Sequence, residues 1–430
     1  MTILIKHGRV INPASKTDEV MDLLIKDDKV SKLAKSIEQT KEIDKVIDAT
    51  GCYVMPGLID LHVHLRDPGL EYKETIATGS KAAARGGFTT VCAMPNTKPA
   101  TDSKERVAYV HRKAQTEAVV NVLQIGAVTK GQAGEELTDI RGMKEAGAPA
   151  ISEDGKSVMN TRLYYQAMVE AKKCGLPIFA HCEDKDLVGK GALNKGPKSE
   201  EFGVEGICNS VEDIIVARDC MLAKETGVHL HLCHCSTKNS VDIVKVSKDR
   251  GVDVTAEVCP HHFTLCDTDI MSADTNYKMN PPLRSKEDVE ALKQGLKDDI
   301  MDVIATDHAP HHQDEKAQSM EKAPFGITGL ETAVSLTISE LVKKGWLTPM
   351  QMAEKMSYNP AKIIGIDKGD ISEGRIADVV VINPDEEYVI DAKKFASKGK
   401  NTPFNGRKVQ GRVKQTIVAG KIVYNQEEEE

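Results

Sequence analysis

The chain has 430 residues, 40% hydrophobic and 28% charged, enough apolar mass for one large core with a smaller appendage and unlike a disordered or fibrous sequence. Its 57 Lys plus Arg against 65 Asp plus Glu give a formal net charge of -8, which disfavours nucleic-acid and anionic-membrane partners. No basic-then-apolar leader pattern and no run of about 18 apolar residues is found, so a cytoplasmic protein is expected, with its ten scattered cysteines reduced and structural.

Residues 1–55 alternate short β-like runs with turns: Ile3-Leu4-Ile5, then Leu23-Leu24-Ile25, an Asp27-Asp28 turn and a return through Val30. The segment 367–430 is similar, with Ala377 to Ile382 and Val413 to Val423, the latter broken by a Gly420-Lys421 hairpin turn. Neither end has enough apolar mass for its own core, so the two are expected to form one composite β-sandwich domain. Glu427 to Glu430 reads as a solvated tail.

Between them, in 56–366, helical segments end at glycine and β-branched strands follow at once, as at Gly86-Gly87-Phe88, Gly147-Ala148, Gly175-Leu176, Gly227-Val228 and Gly251-Val252. Thr161 to Cys174 reads as an amphipathic helix, and Ser210-Val211-Glu212-Asp213 as a capping box opening a helix that closes at Gly227. Adding the strands Gly57–His64, Asn121–Ala127 and Asp302–Asp307 yields an α/β architecture of the (β/α)8 TIM-like barrel type, whose chemistry sits at the C-terminal strand ends.

Those ends carry the informative residues: His62 and His64 on the first strand, Asp154 after the fourth, His181 after the fifth, His234 after the sixth and Asp307 after the eighth. A lone histidine at a strand end is usually structural; their joint appearance on one barrel face points to metal. Strand parity turns Cys233 and Cys235 away from His234, and Cys182 away from His181, toward the helix layer. A thiolate-free His/Asp set suits Zn²⁺, and six ligands suit two ions about 3.5–4 Å apart, bridged by a carboxylate and a hydroxide. His62, His64 and Asp307 are assigned to one ion, His181 and His234 to the other, with Asp154 bridging and Asp307 as general acid/base.

With these residues in place, Asp60-Leu61-His62-Val63-His64-Leu65-Arg66 and Ala305-Thr306-Asp307-His308-Ala309-Pro310-His311 followed by Lys316 resemble the two signatures of the class I bacterial dihydroorotases of the amidohydrolase superfamily. Met94-Pro95-Asn96-Thr97 and Asn280-Pro281-Pro282-Leu283-Arg284 also resemble family segments. The resemblance spans essentially the whole chain. It implies reversible ring closure of N-carbamoyl-L-aspartate to dihydroorotate in pyrimidine biosynthesis, with Arg66, Asn96 and His311 gripping the substrate carboxylate. His64 also borders the substrate, and Asn280 with the backbone of Phe325-Gly326 holds the ring edge. Hydantoinases and allantoinases bridge their metals with a carboxylated lysine; here the fourth strand end offers Asp154, and Lys156 lies beyond Gly155. Those cyclic amidases are the chief rival, and a catalytically dead scaffold subunit of aspartate carbamoyltransferase is the second. A homodimer and association with that carbamoyltransferase are the partner expectations. The charged segment from His311 to Lys322 reads as a loop over the site that could act as a lid.

Overall fold

The computed structural model describes residues 1–428, so Glu429 and Glu430 of the expected tail lie outside the described residues. Thr2–Asn12 is the hub of an eight-stranded sheet, pairing antiparallel with Thr17–Lys26 and parallel with Lys45–Asp48 and Tyr53–Pro56. Tyr53–Pro56 pairs antiparallel with Val379–Val389, which is followed outward by Lys408–Val418 and Lys421–Asn425. Both ends of the chain thus complete one sheet. The strand period of two divides its burial: Ile3, Ile5, Val379 and Val381 enter a small core of their own, whereas Ile11, Met55, Val380 and Ile382 join the main core. The expected Gly420-Lys421 turn falls one residue earlier. Ala419 (φ 45°) and Gly420 (φ 73°) form it, because a two-residue hairpin of this kind needs left-handed backbone at both centres.

The middle of the chain is mixed α/β with parallel strands. Leu58–Val63, Phe88–Ala93 and Asn121–Gln124 form one sheet; Gly126–Ala127, Ile151–Ser152, Ile178–Ala180, Leu230–Leu232, Val254–Val258 and Val303–Ile304 form another. The two sheets meet at Ile125, whose N–H donates to the Ala93 carbonyl at 3.0 Å, and at His308, whose carbonyl accepts from the His64 N–H at 2.8 Å. Ile59, Leu61, Cys92, Ile125, Phe179, Cys233 and Val303 share one apolar cluster among these strands, while Val63, Val91, Ile178 and Leu230 pack outward with helical residues such as Ala83 and Met168.

The helices follow the sequence signals with one correction. Thr161–Cys174 is capped by the Asn160 side chain and closed by left-handed Gly175 (φ 65°). Ser210–Thr226 closes at Gly227 (φ 68°), but the expected capping box does not form: Asn209 is the cap residue and makes no side-chain cap bond. Asp213, the residue that would reach back to Ser210, is drawn away, because its carboxylate accepts from Thr237 Oγ1 at 2.5 Å and Asn239 Nδ2 at 2.8 Å.

Candidate metal centre and active site

Leu58–Val63 carries His62 and delivers His64 and Arg66 just past its end. Asp154 follows Ile151–Ser152, His181 follows Ile178–Ala180, His234 follows Leu230–Leu232 and Asp307 follows Val303–Ile304. Three of these residues stand in left-handed backbone: Arg66 (φ 60°), His234 (φ 34°) and Asp307 (φ 48°). Such positions cost about 1–3 kcal/mol each for non-glycine residues and persist only where the surroundings enforce them. Here Glu257 Oε1 accepts from the His234 N–H at 3.1 Å. Asp60 Oδ1 accepts from the N–H groups of His62 (3.0 Å) and Thr306 (3.2 Å), clamping the first strand to the residue before Asp307.

These left-handed turns end strand alternation and overturn one parity argument. Cys233 does not face the helix layer; it lies in the interior cluster, close to His62 and Glu257. Cys182 and Cys235 do lie in the outer cluster. All ten cysteines are free thiols.

The six expected ligands converge. His62 Nε2 lies 3.1 Å from Asp154 Oδ1 and 3.6 Å from Asp307 Oδ1. His64 Nε2 lies 3.0 Å from Asp307 Oδ1 and 3.6 Å from Asp154 Oδ2. His181 Nδ1 is 3.5 Å from Asp154 Oδ1 and 2.9 Å from His234 Nε2, which is 3.7 Å from the same Asp154 oxygen. Asp154 therefore faces all four imidazoles. Donor atoms of His62, His64 and Asp307 lie within 4.8 Å of one another, as do those of His62, Asp154 and His234. His62 belongs to both groups, whereas the sequence argument had put it on one side only.

The donor chemistry fits a divalent cation. His181 keeps a buried Nε2 with no hydrogen-bond partner, and His62 Nε2, though 3.1 Å from Asp154, makes no well-aligned hydrogen bond, an arrangement that is costly unless a further ligand interaction satisfies it. Burial pushes the Asp154 carboxyl up, but His62, His181 and His234 hold it well below the usual carboxylate range. Asp307 behaves alike: burial opposes its charge, while the His64 hydrogen bond and the neighbouring imidazoles lower it. Both carboxylates are thus ionised, as metal ligands must be. Lys156 takes no part: its Nζ donates to the Gln132 carbonyl at 2.9 Å.

Glu257, on Val254–Val258, belongs to none of the motifs above, yet it touches the site. Its Oε1 is 2.7 Å from His62 Nδ1, and its Oε2 is 3.0 Å from His231 Nε2. This carboxylate sets the His62 ring so that Nε2 points at Asp154. A signal was available, since Val254, Ala256 and Val258 all pack outward and leave a charged side chain on the inward face. Burial opposes its ionisation, yet His62 and His231 hold the carboxyl at about 2, below its usual 4.5. A depressed carboxyl contributes stability that is complete above its unfolded value and is lost as pH falls through the folded one. Acid unfolding of the wild type between about pH 4.5 and 2 should therefore be weakened in Glu257→Gln. The same variant should bind metal about 10–100-fold more weakly, the usual effect of removing an outer carboxylate from a ligating histidine, as read by competition with a chelator. Unchanged metal affinity would leave Glu257 a packing residue only.

Beside the cluster lies a cavity of about 190 Å³ whose walls include His64, Arg66, Asn96, Asn280, His311, Phe325 and Gly326. This is smaller than the roughly 300–1,000 Å³ of clefts for drug-sized ligands and suits a single small ring. Arg66 is buried; its Nε donates to the Pro310 carbonyl at 3.2 Å and its Nη2 lies 3.3 Å from His311 Nε2. Among the described residues no carboxylate forms an ion pair with it. Asn96 does more than border the cleft, with Oδ1 2.9 Å from His64 Nδ1 and Nδ2 donating to Asp154 Oδ2 at 3.2 Å. Asn280 Nδ2 donates to Glu183, likewise outside the motifs above, whose carboxylate is 3.7 Å from His181 Nε2. His311 Nε2 lies 2.8 Å from the Phe325 carbonyl, and Lys73 Nζ lies 3.3 Å from its Nδ1.

The segment His311 to Lys322 contains a short helix, Gln313–Lys316. Buried Lys316 donates to the carbonyls of Lys278, Pro324 and Gly326 at 3.2, 3.0 and 3.1 Å, tying this segment to the cleft wall. Glu315 pairs with Lys73 at 3.0 Å and accepts from Tyr72 at 3.0 Å.

Comparison with known proteins agrees with this geometry. Residues 51–240 match a family model described as dihydro-orotase-like. A protein of Bacillus cytotoxicus named dihydroorotase is 49% identical over 427 residues, 99% of each chain. One of Clostridioides difficile with the same name is 48% identical over 98% of this chain and 100% of its own. Among solved structures, L-hydantoinase (dihydropyrimidinase) from Arthrobacter aurescens superposes with a TM-score of 0.89 at 26% identity, covering 99% of this chain and 96% of that one. A D-hydantoinase superposes with a TM-score of 0.86 at 27% identity over 99% and 95% of the two chains. The fold is shared with cyclic amidohydrolases at large, but identity of this extent is shared with the dihydroorotases: the chain belongs to the dihydroorotase family.

Proposed function

We propose that this chain is a zinc-dependent dihydroorotase that interconverts N-carbamoyl-L-aspartate and dihydroorotate in pyrimidine biosynthesis. The observation that carries the substrate assignment is Arg66, a buried guanidinium in the cleft wall with no carboxylate partner among the described residues. A buried unpaired cation disfavours an uncharged ring and is completed by a substrate carboxylate. In this reading the parallel strands form a closed (β/α)8 barrel over 56–366, and segments 1–55 and 367–430 form a composite β-sandwich beside it.

His62, His64 and Asp307 would hold one Zn²⁺ and His181 and His234 a second, with Asp154 between them. Bound there, the pair supplies Lewis acidity and a hydroxide from water of lowered pKa. In the hydrolytic direction Arg66 pairs with the substrate carboxylate, and Asn96 and His311 add hydrogen bonds. Phe325-Gly326 and Asn280 border the ring edge. Asp307, ionised and 3.0 Å from His64 Nε2, accepts the proton of the attacking water and returns it to the leaving ring nitrogen. Ring closure is the reverse sequence.

The likeness to hydantoinases keeps a neutral cyclic amide as the second reading. The deciding assay sets dihydroorotate, allantoin and dihydrouracil side by side, on protein whose zinc content has been measured. Turnover of dihydroorotate alone is expected; preference for either neutral ring overturns the assignment, and metal-loaded protein inert on all three revives the scaffold reading. A homodimer and association with aspartate carbamoyltransferase complete the proposal. Light scattering on the cytoplasmic enzyme, alone and mixed with the carbamoyltransferase, tests both.

A further inference from the structure

A second group of metal-type donors lies beside the site and lines none of its cleft. Cys259 caps the short helix Pro260–Thr264, which carries His261 and His262, and one donor atom from each of the three lies within 4.8 Å of the others. All three side chains are buried. The two imidazole centroids are 4.2 Å apart. His262 Nε2 donates to the Pro281 carbonyl at 2.9 Å, which leaves Nδ1 as a bare acceptor. Neither that Nδ1 nor His261 Nε2 has a hydrogen-bond partner. Burial keeps both imidazoles below the usual histidine range, His261 at about 4, so both are neutral near pH 7. Such orphaned buried nitrogens each cost about 1–3 kcal/mol unless something satisfies them.

We propose that Cys259, His261 and His262 form a separate Zn²⁺-type site, one thiolate and two imidazoles, that fastens the helix Pro260–Thr264 next to the Asn280-Pro281 turn. The residue types are those of a structural zinc site, and the His262 bond to Pro281 is the outer hydrogen bond that orients a ligating histidine. Burial pushes the Cys259 thiol well above its usual range, so it ionises only as the ion arrives: its proton passes to a water of the incoming hydrated ion, and the sulfur–metal bond replaces the S–H bond. The donors, within 4.8 Å of one another, adjust to the roughly 3.3–3.8 Å spacing that tetrahedral bonds of about 2.0–2.3 Å require. Since the turn carries Asn280, the ion would stiffen one wall of the cleft without entering it. The expectation that every cysteine is merely structural filling would then fail at Cys259 alone.

Cobalt substitution tests this independently of the dihydroorotase assignment, because the six ligands of the main centre contain no sulfur. Whole protein loaded with Co²⁺ is expected to show thiolate-to-cobalt charge-transfer absorption. Cys259→Ser should abolish the band and lower bound metal by one equivalent per chain, with the metal of the main centre retained. His262→Gln, with the thiol still present, should also lose one equivalent, which keeps the test open should Cys259→Ser fail to fold. No band in the wild type overturns the proposal. So does a band that survives Cys259→Ser but disappears in Cys233→Ser or Cys182→Ser, or metal content unchanged in both Cys259→Ser and His262→Gln.

Discussion

Replacing Asp307 by asparagine is expected to lower kcat by about 10²–10⁴-fold, the contribution of a positioned general acid/base, with little change in KM. Asparagine is nearly isosteric, and its amide oxygen can take the place of Asp307 Oδ1, 3.0 Å from His64 Nε2 in the wild type, so the geometry around the residue should survive. What it cannot do is take up a proton. Two features suit Asp307 for this step. Its carboxyl is held ionised by His64 and its neighbours, and its left-handed backbone (φ 48°) is braced through Thr306 and Asp60. Steady-state kinetics with metal content measured in parallel separates the two roles. A variant that loses metal along with activity reports a ligand; one that keeps metal and loses kcat reports the proton carrier. Full turnover with full metal would remove Asp307 from the mechanism.

Arg66→Met should lower kcat/KM for dihydroorotate by about 10²–10⁴-fold, counting two charge-assisted hydrogen bonds at roughly 1.5–3 kcal/mol each. Any residual activity on dihydrouracil should not fall, because a neutral ring gains nothing from the guanidinium and methionine removes a buried charge that would otherwise need a partner. Methionine keeps the apolar stem of the side chain as far as the Nε position, so packing of the stem is largely retained. The informative result is the ratio between the two substrates. Equal losses on both would mean that Arg66 supports the loop around Pro310 and does not select the substrate.

The two glycine-closed helices at Gly175 and Gly227 and the joining of the chain's ends into one sheet were legible from local pattern alone. So was the convergence of the six candidate donors, because metal-type side chains at strand ends are recognisable. The misreadings share a cause. Cys233 was sent outward, and Ser210 was made a cap, by rules that hold within one element, strand alternation and the capping box. Both rules yielded to contacts with distant residues: left-handed His234 held by Glu257, and Asp213 taken by Thr237 and Asn239. Glu257 and Glu183 were passed over because their significance lies in which imidazole each touches.

What could be read locally was the chemical inventory: four histidines and two aspartates of metal-donor type, an arginine next to them, and a periodicity that brings strand ends together. Residue types and short-range spacing are local properties, so they can be read without the fold. Packing alone set that His62 belongs to both donor groups, that Asn96 spans His64 and Asp154, and that Arg66 forms no ion pair among the described residues. Those are statements about distances between residues far apart along the chain, and only packing sets them.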